Sequence, residues 1–417
     1  MCSSIRRAAR LLCLVRSIRS VPLDLTAKIE HNGRVTSGLP HPTRTTTQSF
    51  RPYTTDANWQ RTQTNMTIAQ AEDKANVLVL GGGAVGTMAA YALEAGGRAK
   101  VTMVLRSNYD AVMKSGFSID SIDHGQRNGW LPSRIRTTIS DPTETDMQHY
   151  DFIVVTTKNI PDVPPTVSTL IRPAVTSDLC TIVLMQNGLN IEKPLLEAFP
   201  NNTILSGIQM IGASETAPGI VLHNEPDICK LGVFEAEGKG DELRLRDEQR
   251  ARRFVEAYNA CGRVDCRYDD NVRYTRWKKL LYNSSYNPVS AVLGMDVTRM
   301  RVYKHVIDDL VAPIMREIAA IAAADGVHLS EDLVMKLITI DKLDSWFMPS
   351  MGQDAGKGNF IEFENIVGEP MREAKRLGVP CPTLTTMYSI LKGIQTKTKE
   401  TRGLITPRVT DARPYRG

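Results

Sequence analysis

The 417-residue sequence has no apolar run approaching the ~20 residues needed to cross a bilayer, so no membrane insertion is expected and the chain reads as a soluble protein. Its seven cysteines (Cys2, Cys13, Cys180, Cys229, Cys261, Cys266 and Cys381) include no Cys-x-x-Cys and no histidine partner at ligand spacing. Neither a metal site nor a disulfide framework is indicated. Cys261 and Cys266 read most simply as buried thiols in a reducing compartment. No internal repeat of solenoid length is present, which excludes a repeat architecture. Acidic residues are missing before Asp24, and that absence colours the whole charge balance.

The formal net charge is +5, yet residues 1–70 hold ten Lys and Arg against three Asp and Glu, leaving 41 against 43 in residues 71–417. The body of the chain therefore has no basic excess, and no nucleic-acid partner is expected. In the leader, Arg6, Arg7, Arg10, Arg16 and Arg19 alternate with Leu11, Leu12, Leu14 and Val15 among several serines. Arg-rich, Ser-rich, acid-poor and amphipathic is the composition of a mitochondrial transit peptide, with cytoplasmic residence as the alternative. Residues 31–70 read as a disordered connector. A fluorescent fusion of residues 1–70 is expected to reach mitochondria, and diffuse cytosolic signal would reject the targeting reading.

Organisation starts at Val77-Leu78-Val79-Leu80-Gly81-Gly82-Gly83-Ala84-Val85-Gly86-Thr87. An apolar run that breaks into G-x-G-x-x-G and then into small helix formers is the strand, turn and helix of a dinucleotide-binding unit. Gly81 makes the tight turn, Gly83 lets the backbone approach a pyrophosphate, and Gly86 lets the helix pack on the strand. The second strand, Val101 to Leu105, ends in Arg106 and Ser107 where an acidic residue would select NAD. An arginine there favours a 2′-phosphate, so NADPH is the expected cofactor.

Further strands are predicted at Gly116–Asp120, Arg134–Ser140, Asp151–Lys158 and Thr181–Met185, with Asp123–Pro132 as turn. Short strands follow at Thr203–Ile211, Gly219–His223 and Cys229–Phe234. Gly81, Arg106, Lys158 and Asn187 all fall at the carboxyl ends of predicted parallel strands, where an open α/β sheet binds ligands. From Glu242 the pattern is almost wholly helical, with helices near 242–261, 270–287, 302–325, 331–340, 359–377 and 383–395 and a short strand at Val264–Tyr268. The fold class is α/β: a Rossmann-like dinucleotide-binding domain at 75–268, then an all-α domain at 269–400 and a frayed tail that begins near Lys397.

Within the helical part, Lys279, Asn283 and Asn287 are four apart, so on one helix each is displaced by only ~40° and the three line one face. A lysine and two amides make a polar wall for a cleft, and a partly buried lysine is suited to giving up a proton. Pro288 is expected to end that helix just past Asn287. Ser350 lies in a Pro- and Gly-rich loop, and Glu362 falls in the first turn of the next helix, where the dipole favours a carboxylate. Asp354 fits either a site or a cap.

The glycine motif, Leu105-Arg106, Thr157-Lys158, Gln186-Asn187-Gly188, Pro218-Gly219 through His223, Trp277-x-Lys279-Leu280-x-x-Asn283-x-x-x-Asn287-Pro288, and Ser350-Met351 with Glu362 twelve residues on together resemble the ketopantoate reductase (2-dehydropantoate 2-reductase) family. The resemblance runs in order over residues 75–400. It implies NADPH-dependent reduction of ketopantoate, with Lys279 as the general acid and Glu362 holding it. It further implies Asn283 and Asn287 on the substrate's hydroxyl side, Ser350 at its carboxylate, Asn187 near the nicotinamide, and Lys158 and Arg106 on the cofactor. The expected partner is a small 2-oxo acid, and a homodimer is among the assemblies open to the chain. Pro349 and Gly352 depart from the family around Ser350, and the N-terminal extension is long; both bear on substrate identity. Two other readings stay open: reduction of another small 2-oxo or 3-hydroxy acid, and a non-catalytic NADP-binding mitochondrial paralogue. The intact Lys279 and Glu362 weigh against the last.

Overall fold

In the computed structural model, which describes residues 74–139, 149–234 and 238–408, the apolar runs of the first half become strands buried on both faces. β1 (Ala75–Leu80) passes through the glycine turn into α1 (Ala84–Ala95), and β2 (Ala99–Val104) returns parallel to it with Val77 opposite Val101. Next come α2 (Tyr109–Ser115), the hairpin of β3 (Phe117–Ser121) and β4 (Gly125–Trp130), and β5 (Arg134–Arg136). On the other side of β1 lie β6 (Phe152–Val155), α3 (Val167–Ile171), β7 (Thr181–Leu184), α4 (Lys193–Ala198) and the start of β8 (Thr203–Ala217). The run β5-β2-β1-β6-β7-β8 is parallel throughout. Its winding reverses between β1 and β6, which opens a crevice at their carboxyl ends.

β9 (Ile220–Val233) folds back antiparallel on β8, α5 (Asp241–Asn259) crosses the sheet, and β10 (Asp265–Tyr268) pairs with β9. Val77, Val79, Met103, Leu205 and Leu231 pack under α1 and α5, while Leu78, Ile153, Val155 and Ile182 pack under α3 and α4. Coverage of both faces is why these strands read as unbroken apolar runs rather than alternations.

The second half holds α6 (Val272–Asn283), α7 (Tyr286–Leu293) and α8 (Val297–Val302), then a turn and the π-helical Ile307–Val311 leading into α9 (Ala312–Ala324). α10 (Glu331–Ile338) and α11 (Ser350–Gly356) follow, then the π-helical Glu364–Gly368 leading into α12 (Glu369–Leu377), and finally α13 (Pro382–Thr401). Trp277, Leu281, Tyr286, Ile314, Ile318 and Leu384 build its separate core. A Rossmann-like sheet followed by a helical bundle is the predicted fold class, and the two halves lie in one compact unit.

Several local expectations are corrected. Residues 123–132, read as turn, contain β4, an edge strand whose side chains are almost all exposed and so carry no apolar signal. The three short strands of 203–234 are two long ones. Pro226 sits inside β9 where the pairing slips between Met210–Ile228 and Gly212–Glu225, and at a bulge its missing N–H breaks no ladder bond. The helix predicted over 270–287 is two helices, broken at Ser284 and Ser285, whose hydroxyls bond the carbonyls of Ile366 and Leu281 at 2.6 Å each. Pro288 therefore stands in the first turn of α7, where its missing N–H costs nothing, instead of closing the earlier helix. Ser350 opens a helix, α11, where a loop was expected. The tail is helical to Thr401 because Lys399 pairs with Asp162 at 2.8 Å and Arg402 holds the Gly358 carbonyl at 2.8 Å. The targeting leader and connector, residues 1–70, lie outside the described residues.

Candidate active site

The glycine loop has the geometry its sequence predicts. Gly81 has φ +118°, and a Cβ on Gly86 would fall 1.9 Å from the Gly81 carbonyl oxygen, so neither position accepts a side chain. A Cβ on Gly83, in contrast, would meet open space, which leaves room for a bulky ligand over the start of α1. Arg106 is exposed, two residues past β2. Asn108, which sequence reading passed over, is buried and donates to the Gly82 carbonyl at 2.7 Å and to Glu215 at 2.9 Å, tying the loop to β8. Open backbone at Gly83, free amides at a helix start and a nearby exposed arginine fit a dinucleotide phosphate.

At the carboxyl end of β7 the chain makes the turn Gln186-Asn187-Gly188, and three parts of the molecule converge on it. Gln186 donates to the Thr157 carbonyl at 2.6 Å. Gly188, at φ +105°, lies so close to Asn365 that a Cβ would approach its side chain to 2.5 Å, and the Leu189 amide donates to the Asn365 carbonyl at 2.8 Å. From α6, buried Arg276 donates to the Gln186 and Gly188 carbonyls at 3.2 and 2.8 Å and to the Ser206 hydroxyl at 2.7 Å.

Lys279 and Asn283 project from α6 toward the same turn. The Asn283 amide donates to the Asn187 side-chain oxygen at 3.3 Å. The Lys279 ammonium donates to the Gln209 carbonyl at 2.5 Å. That carbonyl is available because β7 pairs with β8 only as far as Ser206, leaving the β7-facing edge of β8 open from Gly207 onward while its other edge pairs with β9. The Gln209 side chain is locked on the opposite face by Tyr258 at 3.1 Å and Asp227 at 3.3 Å. Burial, and next the Arg276 charge, pull the Lys279 ammonium down to about 8. Asn187, Ile208, Arg276, Lys279 and Asn283 line one small cavity.

The remaining predicted residues form two further groups. Asn287 is buried at the start of α7, on the helix after the break, so the stripe of three amines and amides continues across two elements instead of along one. α11, which begins with Ser350, packs on α7 so closely that a Cβ on Gly352 would lie 2.6 Å from the Ser290 hydroxyl oxygen; the departure at 352 is thus a packing requirement. Across the crevice, Lys158 pairs with Asp354 at 2.6 Å and with Glu362 at 3.6 Å, and Glu362 accepts the Asn159 amide at 2.9 Å. Burial opposes the charge on Lys158, but Glu362 and Asp354 outweigh it and hold the ammonium above its usual range. Burial raises Glu362, while Lys158 and the Asn159 amide draw it back. No hydrogen bond joins Glu362 to Lys279, which corrects the expectation that Glu362 holds the lysine directly. The Gln209 carbonyl does so, and Glu362 acts on it as a more distant charge.

Arg276 and Gln209 were missed. A signal existed for each: Arg276 is three residues before Lys279 and so shares its helix face, and Gln209 is a lone amide inside the apolar stretch Ile208 to Ile211. What the assembly can do is deliver a proton from Lys279 to an oxygen held between Asn187 and Asn283.

Comparison with known proteins gives the same direction. Residues 77–236 match the family "Ketopantoate reductase PanE/ApbA", and residues 271–395 match "Ketopantoate reductase PanE/ApbA C terminal". An uncharacterised protein of Saccharomyces cerevisiae is 39% identical over 348 residues, 79% of this chain and 96% of that one. A 2-dehydropantoate 2-reductase of Nostoc is 26% identical over 314 residues, 75% of this chain and 93% of its own. The crystal structure of 2-dehydropantoate 2-reductase from Methylococcus capsulatus superposes with a TM-score of 0.63 at 29% identity, covering 78% of this chain and 97% of that one. The chain belongs to the ketopantoate reductase family of oxidoreductases.

Proposed function

We propose that the protein reduces 2-dehydropantoate to pantoate with NADPH, on the route toward pantothenate and coenzyme A, and that residues 1–70 deliver it to mitochondria. The observation that carries this reading is Lys279: a lysine drawn down to about 8 by burial and by Arg276, facing Asn187 and Asn283 in one cavity at the carboxyl edge of the sheet. Gly81, Gly83 and Gly86 with Arg106 and Lys158 would hold NADPH, whose reduced nicotinamide supplies a hydride when bound. Lys279 donates its proton to the ketone oxygen as negative charge develops there. Asn283 and Asn287 orient the hydroxyl side of the substrate, Ser350 donates its hydroxyl to the carboxylate, and Asn187 fixes the edge of the cleft. The Lys158–Glu362–Asp354 group joins the sheet half to the helical half across the crevice. The same chemistry would serve other small 2-oxo acids, and the relatives named 2-dehydropantoate 2-reductase favour the C6 keto acid among them.

The test is the pH dependence of kcat/KM for keto-acid reduction. The acid form of Lys279 predominates below its pKa, so the rate should hold through neutral pH and fall as pH rises through about 8. A profile that stays flat to pH ~10, near an unperturbed lysine, would remove Lys279 from the acid's role.

A further inference from the structure

We propose that Arg276 is a positioning residue of this reductase site: its guanidinium ties the two main-chain carbonyls on either side of Asn187 to the helix that carries Lys279, and fixes a positive charge one helical turn from the Lys279 ammonium. The inference rests on the reading of Lys279 as the proton donor and adds the device that sets where Asn187 sits and how readily Lys279 gives up its proton.

The geometry is specific. Gln186 and Gly188 lie just past the end of β7, so their carbonyls face a crevice with no strand to pair with. One terminal nitrogen of Arg276 takes both carbonyls, at 3.2 and 2.8 Å, while the other two nitrogens take the Ser206 hydroxyl of β8 at 2.7 and 3.1 Å. The ring of Phe234 lies 5.2 Å under the guanidinium. Only a planar fork reaches three acceptors on β8 and on the turn after β7 at once; a lysine in its place offers a point charge without that reach. Arg276 is 6% exposed, so a clamp built this way stays shielded from solvent competition.

The second half of the role is electrostatic. Arg276 and Lys279 share a face of α6 by their i,i+3 spacing. The other titratable groups bearing on Lys279 are Cys229 from β9 and Glu362 from the segment before the π-helical turn, and Glu192 of the turn before α4 bears on Arg276. Among the described residues, Arg276 is the only cation acting on Lys279. Burial pulls the guanidinium to about 10, which leaves it charged at neutral pH, so the repulsion it exerts on Lys279 is present under working conditions.

Two substitutions separate the two effects. Arg276→Lys keeps the charge and loses the fork; Arg276→Met loses both. Lys279 is read without turnover by acylating the folded protein with acetic anhydride across pH and quantifying the Lys279 peptide by mass spectrometry. The labelling midpoint, expected at about 8 in the unaltered protein, should rise by roughly 2 units in Arg276→Met, as expected for loss of a like charge ~5 to 6 Å away at an effective dielectric of about 20. In Arg276→Lys it should stay in place. Both variants should raise KM for the 2-oxo acid by roughly tenfold, since the Asn187 turn is no longer clamped. An unchanged midpoint in folded Arg276→Met, or a KM in Arg276→Lys equal to that of the unaltered protein, would overturn the proposal. Arg276→Gln carries the same charge test if Arg276→Met does not fold. Should the unaltered protein reduce no 2-oxo acid, the reductase reading fails by itself, and the labelling result still decides whether Arg276 sets the acidity of Lys279.

Discussion

Replacing Lys279 with alanine is expected to lower kcat for ketone reduction by ~10²- to 10⁴-fold, the range for a lost general acid, with NADPH affinity nearly unchanged. The reason is positional. Lys279 lies on α6 in the helical half, bonded to the Gln209 carbonyl at 2.5 Å, whereas the glycine loop that would hold the cofactor is built from β1 and α1. Glu362→Gln should cost less, because Glu362 bonds the Asn159 amide and pairs with Lys158, not with the donor. Asn283→Ala should act through KM at a cost of ~1 to 3 kcal/mol, leaving a buried substrate hydroxyl and the Asn187 oxygen without their partner. Steady-state kinetics with direct NADPH titration separates these outcomes. A folded Lys279→Ala enzyme that turns over normally would return α6 to an ordinary polar helix face.

The second large effect concerns cofactor choice. Arg106 is exposed two residues past β2, beside a loop whose Gly83 faces open space. A charge-assisted bond to a 2′-phosphate is worth ~1.5 to 3 kcal/mol, so Arg106→Ala should weaken NADPH binding by ~10- to 150-fold and leave NADH binding as it was. Fluorescence titration of both cofactors against both proteins checks this. Equal affinity of the unaltered protein for NADH and NADPH, or a preference that survives the substitution, would show that another residue reads the phosphate.

What the sequence made legible was whatever depends on neighbours within one element. The three glycines declare their roles because turn, approach and packing are all set within six residues. Lys279 and Asn283 declare a common face because four residues are about one helical turn. The predicted stripe failed at its last member, since the Ser284 and Ser285 hydroxyls break the helix by bonding carbonyls that include Ile366, 82 residues away. Glu362 was expected in the first turn of a helix but lies just ahead of the one that opens at Phe363, and it was given the wrong direct partner, because Lys158 and Asn159 reach it from about 200 residues away across the crevice. The acceptor for Lys279 could not be read at all: every residue has a carbonyl, and that of Gln209 is free only because β7 stops pairing at Ser206. β4 was invisible for the converse reason, since an exposed edge strand is held by its backbone and not by apolar side chains.

The most direct measurement is NADPH oxidation by the purified protein on addition of 2-dehydropantoate, set against a panel of other 2-oxo acids and with the product identified. The account predicts cofactor oxidation matched mole for mole by pantoate, with 2-dehydropantoate giving the highest kcat/KM of the panel. Bound NADPH that is oxidised by no 2-oxo acid would contradict it.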